Sequence, residues 1–468
     1  MSVKNTHPAY DKYAPQWKTM RDVCAGQTAV HQAGSAYLPR LSEQSDAEYA
    51  AYKGRALFYN ATWRTVAGMI GMMFRKAPQR TVPAGLEGYM ADIDLGGSDF
   101  DTFAKSVVYE VMTTGRVGLM VDYPQAVDSD VPLTRARVEA LGIRPSIQLY
   151  ATESLINWRY ARVNNAQRLV MVVLKERAAI VTGDFDESYE DRYRVLDLDG
   201  EGIYRVRVFR IGRDGKDEVL EEFRPVMDGR TLGFIPFFIV TPDGSDCEVS
   251  EPPLIDLAHV NISHYRSVAD YEHGCHFTGL PTAWIAGYMP ENIDKPDRFG
   301  IGSTAAWTFS HPDTKVGYLE FTGQGLNALR DNIAGKERQM VVLGARMLAE
   351  DKAGVEAFRT LALRNAGETA TLSAIAVSVS AGLTRALATL AQWAGVAGDI
   401  VYELNRDFAP VLMDAPTLTA LVAGWQSGAF SDQVLFDALK RGDVIAGDVA
   451  FEDEQARRRE SSKVKDQA

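Results

Sequence analysis

A heptad repeat of apolar residues between positions 326 and 347 is the feature that most limits how this chain can fold. Its apolar members alternate spacings of three and four, and Lys336 is the single polar member. This spacing predicts a helix of about 33 Å with one apolar seam, and a seam of this kind requires a partner helix. The seam consists of Leu326, Leu329, Ile333, Met340, Leu343 and Met347.

An earlier helix is predicted over 254–275, where Pro252 and Pro253 suit its start. Between the two helices, residues 276–322 contain Gly, Pro and short strand-like segments. The sequence therefore predicts two helices, the second over 323–348, that bracket a small β-rich insertion.

A third, much longer helix is predicted after a polar break at 349–366. Asn365 with Glu368 forms a candidate cap, and the apolar repeat that follows predicts a helix of roughly 38 residues. Its remaining faces carry Ala, Ser and Thr, which indicates a helix buried among neighbours. The repeat runs along Leu372, Ile375, Val379, Leu383, Leu387, Leu390, Trp393 and Ile400.

The N-terminal part is predicted to be mostly helical. Ser45 and Glu48 form a capping box, and the apolar repeat after them predicts one long amphipathic helix that ends before Pro78. A second helix, over about 98–114, is expected to stop at Gly115 and lead into a strand.

From about 143 to 240 the hydrophobic period changes to two. Alternating segments are separated by turns at Asp199-Gly200 and Asp214-Gly215, which predicts a meander of β-hairpins. At the C-terminus, short helices around 416–425 and 432–440 precede a polar tail without a predicted element. The predicted fold class is α+β, with about three structural units in 468 residues.

Composition limits the classes of function. Hydrophobic residues at 46% and charged residues at 24% are typical of a soluble globular chain. The net charge of −12 argues against broad neutralisation of nucleic-acid phosphates. Three cysteines are too few for a disulfide framework, and the N-terminus lacks the apolar core of a secretory signal. The apolar stretch 370–398 is not expected to cross a membrane, because Arg385 lies at its middle.

Three motif-like segments are better explained as ordinary structure. The glycine turn at 323–328 lacks a second buried strand, because 341–350 continues the helix. The acidic segment 197–208 ends in Val208 where a calcium loop needs a carboxylate. The histidines within 259–276 lack zinc-ligand spacing. We therefore predict no catalytic, cofactor-binding or metal-binding residue. A hydrolase or nucleotide-binding enzyme with a site built from distant loops is the main alternative, and a membrane-associated scaffold is the next.

The order of elements is similar to that of the portal, or head-to-tail connector, protein of tailed double-stranded DNA bacteriophages. The resemblance covers nearly the whole chain and rests on several long stretches in combination, with the C-terminal part the loosest. These stretches are 7–26, 37–78, 114–124, 256–284 and 343–373.

The resemblance implies a subunit architecture and a set of surfaces. Neighbouring subunits of a ring would bury the heptad seam, which one hairpin cannot bury alone. The tunnel loop would present Lys352, Arg359 and Arg364 to DNA. By position, the parts would be a wing (1–250), first stem helix (254–275), clip (276–322), second stem helix (323–348), tunnel loop (349–366), long wing helix (367–408), and crown and tail (409–468).

The implied function is a non-enzymatic ring of about twelve subunits at one capsid vertex, through which DNA is packaged and ejected. The implied partners are the terminase large subunit, a head-tail adaptor protein, major capsid and scaffold proteins, and the double-stranded DNA that passes through. No membrane and no cofactor are expected. The implied location is the virion, with the host cytoplasm during assembly.

Overall fold

The structure is a computed structural model of an α+β chain, the class that the sequence predicts. Helices form most of the N-terminal part and the C-terminal third, and antiparallel strands form the part between them. The structure describes residues 2–465 except 124–141, 164, 182, 245–247, 279–281, 289–298, 300–306, 308, 310–311, 320–323, 345–357, 407, 409–414, 443 and 446–448.

The N-terminal part is helical, but its first predicted helix is in fact two helices. Ser45 and Glu48 form the predicted capping box. The chain then becomes extended at Ala56, and Asn60 starts a new helix by accepting a hydrogen bond from the Trp63 N–H at 3.1 Å. The N-cap preference of asparagine explains this boundary, which the apolar repeat alone conceals. The helices here are α1 (Pro8–Ala25), α2 (Gln27–Ala33), α3 (Asp46–Arg55), α4 (Ala61–Met73), α5 (Glu87–Met90) and α6 (Phe100–Thr114).

The strands form one three-stranded sheet, one five-stranded sheet and three two-stranded pairs among the described residues. They are β1 (Gln79–Thr81), β2 (Val117–Asp122), β3 (Ser146–Ala151), β4 (Leu155–Val163), β5 (Ala166–Val181), β6 (Glu187–Leu198), β7 (Tyr204–Ile211), β8 (Asp217–Phe223), β9 (Val226–Met227), β10 (Arg230–Thr231), β11 (Phe237–Val240), β12 (Thr282–Ala286), β13 (Lys315–Leu319) and β14 (Val401–Glu403).

Helix α6 ends at Gly115 in the left-handed region and leads into β2, as predicted. Strand β2 is buried along almost its whole length and lies between β11 and β3 in an antiparallel sheet. Strands β3 and β11, which we predicted as the start and the end of the meander, therefore pair with β2 instead. A buried central strand needs backbone partners on both edges, which accounts for this pairing.

The predicted meander is the five-stranded sheet with strand order β4–β5–β6–β7–β8. At the turn between β6 and β7, the Asp199 carboxylate accepts hydrogen bonds from the backbone N–H groups of Glu201 (2.9 Å) and Ile203 (3.0 Å). Arg224 also lies 2.7 Å from the Asp199 carboxylate. The acidic segment is thus a hairpin turn whose carboxylate has protein partners. Strand β5 is the longest, with 16 residues that span about 50 Å.

Two helices bracket the β12–β13 pair, as predicted: α7 (Ile255–Thr278) and α8 (Gln324–Val342). Helix α8 is shorter than expected. Gly344 follows it with φ of +125°, a conformation that ends a helix, so Leu343 lies in a turn. The seam residue Met347 lies outside the described residues.

The long helix α9 (Phe358–Trp393) begins earlier and ends earlier than predicted. Its start places Asn365 inside the helix and not at a cap. After its end, Gly398 has φ of +144°, and a Cβ there would lie 2.7 Å from Pro83, so neither helix nor a larger residue fits. The chain continues as β14, which pairs with β1, and Ile400 is not helical.

The segment Ala370–Trp393 of α9 is long and apolar enough to cross a bilayer, and 56% of its apolar 18-residue window is buried inside the fold. Its buried face packs on α6 and on the sheet strands β2, β3 and β11. This face holds Leu372, Ile375, Ala376, Val379, Leu383, Ala386, Leu387 and Leu390.

The C-terminal residues form three helices, α10 (Ala415–Gln426), α11 (Asp432–Arg441) and α12 (Phe451–Lys465). The last lies in the tail that we expected to lack structure. Phe451 contacts the Phe436 ring at 5.3 Å between centroids, and Arg458 lies 3.3 Å from the Asp432 carboxylate. Contacts with α11 thus accompany a helix whose own sequence is strongly polar.

Hydroxyl groups of α9 satisfy the backbone of β14 on the side away from β1. Ser380 Oγ accepts from the Leu404 N–H at 3.0 Å and donates to the Ala376 carbonyl at 2.6 Å. Thr384 Oγ1 accepts from the Tyr402 N–H at 3.1 Å. The helix therefore takes the place of a strand partner at this edge.

We expect Ser380→Ala to loosen β14, because the buried Leu404 N–H would lose its acceptor at a cost of about 1–3 kcal/mol. Hydrogen exchange followed by mass spectrometry should show protection of the peptide that covers 401–404 falling about tenfold or more. The matched control is Ser373→Ala on the half-buried side of the same helix, which should leave this peptide unchanged. Equal protection in both variants would contradict the role of Ser380.

Candidate assembly site: the α7–α8 hairpin

Helix α7 connects the hairpin to the body of the chain. Its buried residues repeat at spacings of three and four and pack on α1, α3 and α4. Asn261, fully buried, accepts from the Thr62 N–H at 3.1 Å and donates to the Tyr59 carbonyl at 2.7 Å. The apolar members of this face are Leu254, Ile255, Leu257, Ala258, Ile262, Tyr265 and Ala269.

The far end of α7 is held by polar and aromatic contacts with α3. The Tyr52 hydroxyl donates to the Asp270 carboxylate at 2.5 Å. His273 lies 3.1 Å from the Arg55 guanidinium and contacts the Tyr52 ring edge-on at 5.1 Å between centroids. Burial, together with the charge of Arg55, lowers the pKa of His273. The histidines predicted to be structural thus face protein partners here, and no group of three metal-ligating side chains occurs within the described residues.

Helix α8 packs antiparallel on α7 through the predicted seam. At one end, Leu326 lies so close to Gly274 that a Cβ there would be 2.7 Å from the leucine Cδ2. At the other end, Met340 is buried in a cluster with Leu257 and Ala61. Leu329 and Ile333 are half-buried between these ends. The expectation that one hairpin cannot bury the seam was therefore wrong in part, because α7 of the same chain covers Met340 and contacts Leu326.

Lys336, the polar member of the seam, is a partner of α7. Its Nζ donates to the Ser263 carbonyl at 2.9 Å and to Ser267 Oγ at 2.6 Å. Asn332, one turn earlier, donates to the same Ser267 hydroxyl at 3.3 Å. Burial lowers the pKa of Lys336. We infer that these polar contacts set the register between two helices whose apolar contacts alone allow sliding.

His264 lies on the opposite flank of the same interface and is almost fully buried. Its Nε2 is 3.6 Å from the carboxylate of Glu337, and its ring is 6.3 Å from that of Tyr59. Burial lowers the pKa of His264 below its usual 6.5, and the charge of Glu337 opposes this effect only in part. The imidazole is thus held neutral between the helices.

Among the described residues, nothing covers the outward side of α8 at its end or the turn that follows it. Val342 is 72% exposed and Leu343 is 37% exposed. They border an open groove of about 550 Å³ whose other walls are Val260, Gly335 and the side chains of Arg338 and Gln339. An apolar strip next to a packed helical pair is typical of a surface that another chain covers.

The β12–β13 pair at the end of the hairpin is rich in exposed aromatic and aliphatic side chains. Trp284 is 41% exposed, Val316 50% and Tyr318 55%. Phe299 is the centre of a ring cluster with Tyr288, Trp307 and Phe309, with centroids 5.2–5.7 Å away. The tip is therefore a second apolar surface, distant in sequence from the main core.

Two of the three DNA-facing candidates lie within the described residues. Lys352 lies outside the described residues. Arg359 and Arg364 lie in the first two turns of α9 and not in a loop, because that helix starts at Phe358. The predicted tunnel loop 349–366 therefore overlaps a helix in its second half.

Sequence reasoning missed the polar contacts that align the hairpin. Lys336 was interpreted as an interruption of the seam, although Ser263 and Ser267 are spaced by four on the facing helix. Only the Ser267 hydroxyl accepts from Lys336, since the acceptor at Ser263 is the backbone carbonyl, so the usable signal was the polar Asn332 and Lys336 at a spacing of four on one helix. His264 was seen only as a member of a histidine-rich segment.

A family described as a domain of unknown function, DUF4055, matches residues 253–394, which run from α7 to the end of α9. This is less than a third of the chain. A search of curated protein sequences finds no match.

Three solved structures show a weak overall likeness. A virion of a native gene transfer agent particle has 12% identity and a TM-score of 0.38, over 91% of this chain and 97% of that chain. The neck of the native particle, computed with C12 symmetry, has 13% identity and a TM-score of 0.40, over 81% of this chain and 89% of that chain. The neck of the empty particle, computed with C6 symmetry, has 12% identity and a TM-score of 0.40, over 86% of this chain and 94% of that chain. Since these TM-scores are below 0.5, the function proposed below rests on the chain itself.

We expect the hairpin to lose stability in acid because the folded chain holds His264 neutral. An unfolded chain protonates this histidine near pH 6.5, so the free energy of unfolding falls as the pH drops below that value, by at most about 1.4 kcal/mol per pH unit. The urea midpoint, followed by circular dichroism between pH 7.5 and 5.5, should fall less in His264→Phe than in the wild type. The control is His259→Phe, which removes an exposed histidine of the same helix. An identical pH dependence in all three proteins would contradict this assignment.

Proposed function

We propose that this chain is the portal, or head-to-tail connector, subunit of a tailed double-stranded DNA bacteriophage or a particle built like one. Copies form a ring at one capsid vertex, through which DNA is packaged and later ejected. The ring would dock the terminase large subunit during packaging and a head-tail adaptor protein afterwards, and would contact capsid and scaffold proteins. It would be located in the virion, after assembly in the host cytoplasm.

The observation that carries this proposal is the α7–α8 hairpin and its position between a body and an apolar tip. Helix α7 is anchored in the body, α8 is supported by α7, and the outer side of α8 exposes Val342 and Leu343. A repeated contact between such hairpins, in which one side of each hairpin meets the next chain, forms a ring when the rotation between neighbours closes. The sequence resemblance to portal proteins, which covers nearly the whole chain, supports the same proposal.

Nothing specific favours the enzyme alternative. The most conspicuous buried acid, Glu110, is paired with Arg21 at 2.5 Å, and the same guanidinium lies 2.7 Å from Glu153. Burial raises the pKa of Glu110, and the Arg21 charge opposes that shift. This group is a structural ion pair between α1, α6 and the segment before β4, and we propose a chain without catalysis.

The net charge of −12 per chain sets how a ring would handle DNA. About twelve copies would repel a polyanion overall, yet screening over about 8 Å confines the interaction to groups at the channel wall. Few cations there would give weak contacts that allow sliding. We keep Lys352, Arg359 and Arg364 as the proposed DNA-facing groups. The alternative is that these three cations are solvent-exposed charges whose partners are Glu350, Asp351 and Glu356.

The first test uses the outward side of α8. Val342→Asp with Leu343→Asp should leave the fold intact, since both side chains are partly exposed, but should prevent assembly by placing charge in an apolar contact. Wild-type rings of about twelve subunits would have a mass near 618 kDa, measured by native mass spectrometry or sedimentation.

The matched comparison is Met340→Asp, which places the same charge on the buried side of α8. This variant should unfold the hairpin, which circular dichroism would detect, whereas the outward pair should not. A ring that persists in the folded Val342→Asp, Leu343→Asp protein would exclude this surface as an assembly contact. A wild-type protein that stays monomeric at high concentration and in assembling particles would contradict the ring.

The second test concerns the DNA-facing groups. Replacement of Lys352, Arg359 and Arg364 by Ala should leave ring formation intact, because alanine is a good helix former, and should change packaging rate or genome retention. The measurement is the nuclease-protected DNA per assembled particle. The control has the same change of charge at the exposed positions Lys12, Lys216 and Arg230.

Normal packaging and retention in triple-mutant particles would remove these residues from the channel wall. Tight, salt-sensitive binding of linear DNA by isolated wild-type rings would contradict the sliding mechanism, because weak contacts predict little binding at physiological salt.

A further inference from the structure

The β5–β6 hairpin ends in a tip with exposed apolar side chains. Phe185 is fully exposed, Val181 is 78% exposed and Tyr189 is 51% exposed. Isolated exposed apolar residues are common, but three together at the end of a long projecting hairpin form a small patch that water covers unfavourably.

The same tip is acidic. Residues 183–187 contain Asp184, Asp186 and Glu187 and no basic residue. The Tyr189 hydroxyl donates to the Glu187 carboxylate at 2.7 Å, which fixes that side chain beside the aromatic ring. The Arg177 guanidinium stacks on the Tyr189 ring, 4.3 Å from its centre, so this ring already has a cation of its own chain. Phe185, flanked in sequence by Asp184 and Asp186, is therefore the fully exposed aromatic group that the tip offers.

A groove at the opposite end of the same sheet has the complementary chemistry. Its volume is about 700 Å³, and apolar residues Leu169, Leu198, Phe234 and Phe238 line it. Arg168 and Arg385 line it as well, and the Arg385 guanidinium lies 5.7 Å from the centre of the Phe238 ring. The apolar walls of this groove suit an aromatic side chain, and Arg168 suits a carboxylate beside it.

The tip cannot enter the groove of its own chain. Arg168 and Val181 are separated by 13 residues along one extended strand, a distance of about 43 Å. Residues of β5 and β6 form part of the groove at one end and the tip at the other. Any contact between the two must therefore join different molecules.

We propose that the acidic aromatic tip at 181–189 inserts into the basic apolar groove of a second copy of this chain, with Phe185 as its anchor. The two surfaces differ, so the contact is head-to-tail, and repetition of such a contact gives a ring or an open helix but no closed pair. This inference rests on the proposed ring in that it names one contact between its neighbours.

A photocrosslinking experiment tests the contact directly. Full-length protein with p-benzoylphenylalanine in place of Phe185 is mixed with isotopically labelled wild-type chains, assembled and irradiated. We expect crosslinks between labelled and unlabelled chains that map to peptides containing Phe234, Phe238 or Arg385. The same probe at Val219, 53% exposed on β8 and outside both surfaces, should not yield them.

Charge reversal gives an independent measurement. Asp184→Lys alone and Arg168→Glu alone should each weaken self-association, and a chain that carries both changes should recover part of it, because the two exchanged charges again attract each other. Phe185→Asp should raise the concentration for half-assembly by about tenfold or more, and no charge partner should restore it.

The outcomes separate this inference from the proposed function. Rings that form without the crosslink, or with crosslinks to another surface, overturn the inference and leave the portal proposal standing. Crosslinked chains that never close support the contact and count against the ring. A protein that neither assembles nor crosslinks contradicts both.

Discussion

The burial of one face of α9 is the interaction on which the rest of the structure depends. This face covers the three-stranded sheet and α6, and its hydroxyl groups complete the backbone hydrogen bonding of β14. Because β14 pairs with β1, residues more than 300 positions apart are joined at the same place. Apolar contact supplies the driving force, and two side-chain oxygens determine where the returning chain lies.

The α7–α8 hairpin shows a different balance of forces. Its apolar contacts are concentrated at two ends, near Leu326 and near Met340, whereas the middle is joined by Lys336, Asn332 and two serines. Partly buried polar contacts add little net stability, but a shift of one helix along the other leaves them unsatisfied. The hairpin is thus aligned by polar groups and held together by apolar ones.

The sequence predicted those elements whose pattern is local. The capping box at Ser45, the helix that stops at Gly115, the meander and the two bracketing helices all have their determinants within a few residues. The sequence did not predict elements whose boundaries depend on a contact from elsewhere in the chain or on a competing local preference. Asn60 starts a new helix within a continuous apolar repeat, and β3 leaves the meander for β2. The tail becomes helical beside α11. No N-cap residue in the sequence directly before Phe358 indicates that α9 begins there. At the candidate site the seam was predictable, but which of its residues the same chain covers depends on where α7 lies.

Helix α7 stays in the main core as far as Ala269, and the chain returns to this core at α9. Among the described residues, the main core contains no residue of α8, and no strong packing links the β12–β13 pair to the sheets. The length of the hairpin beyond Ala269 is for this reason independent of the core. If one heptad were added to α7 and one to α8, the same faces of the two helices would still be in contact, and the β12–β13 tip would move by about 10 Å. Natural or engineered chains of this design can thus differ in reach by discrete steps while the body stays the same.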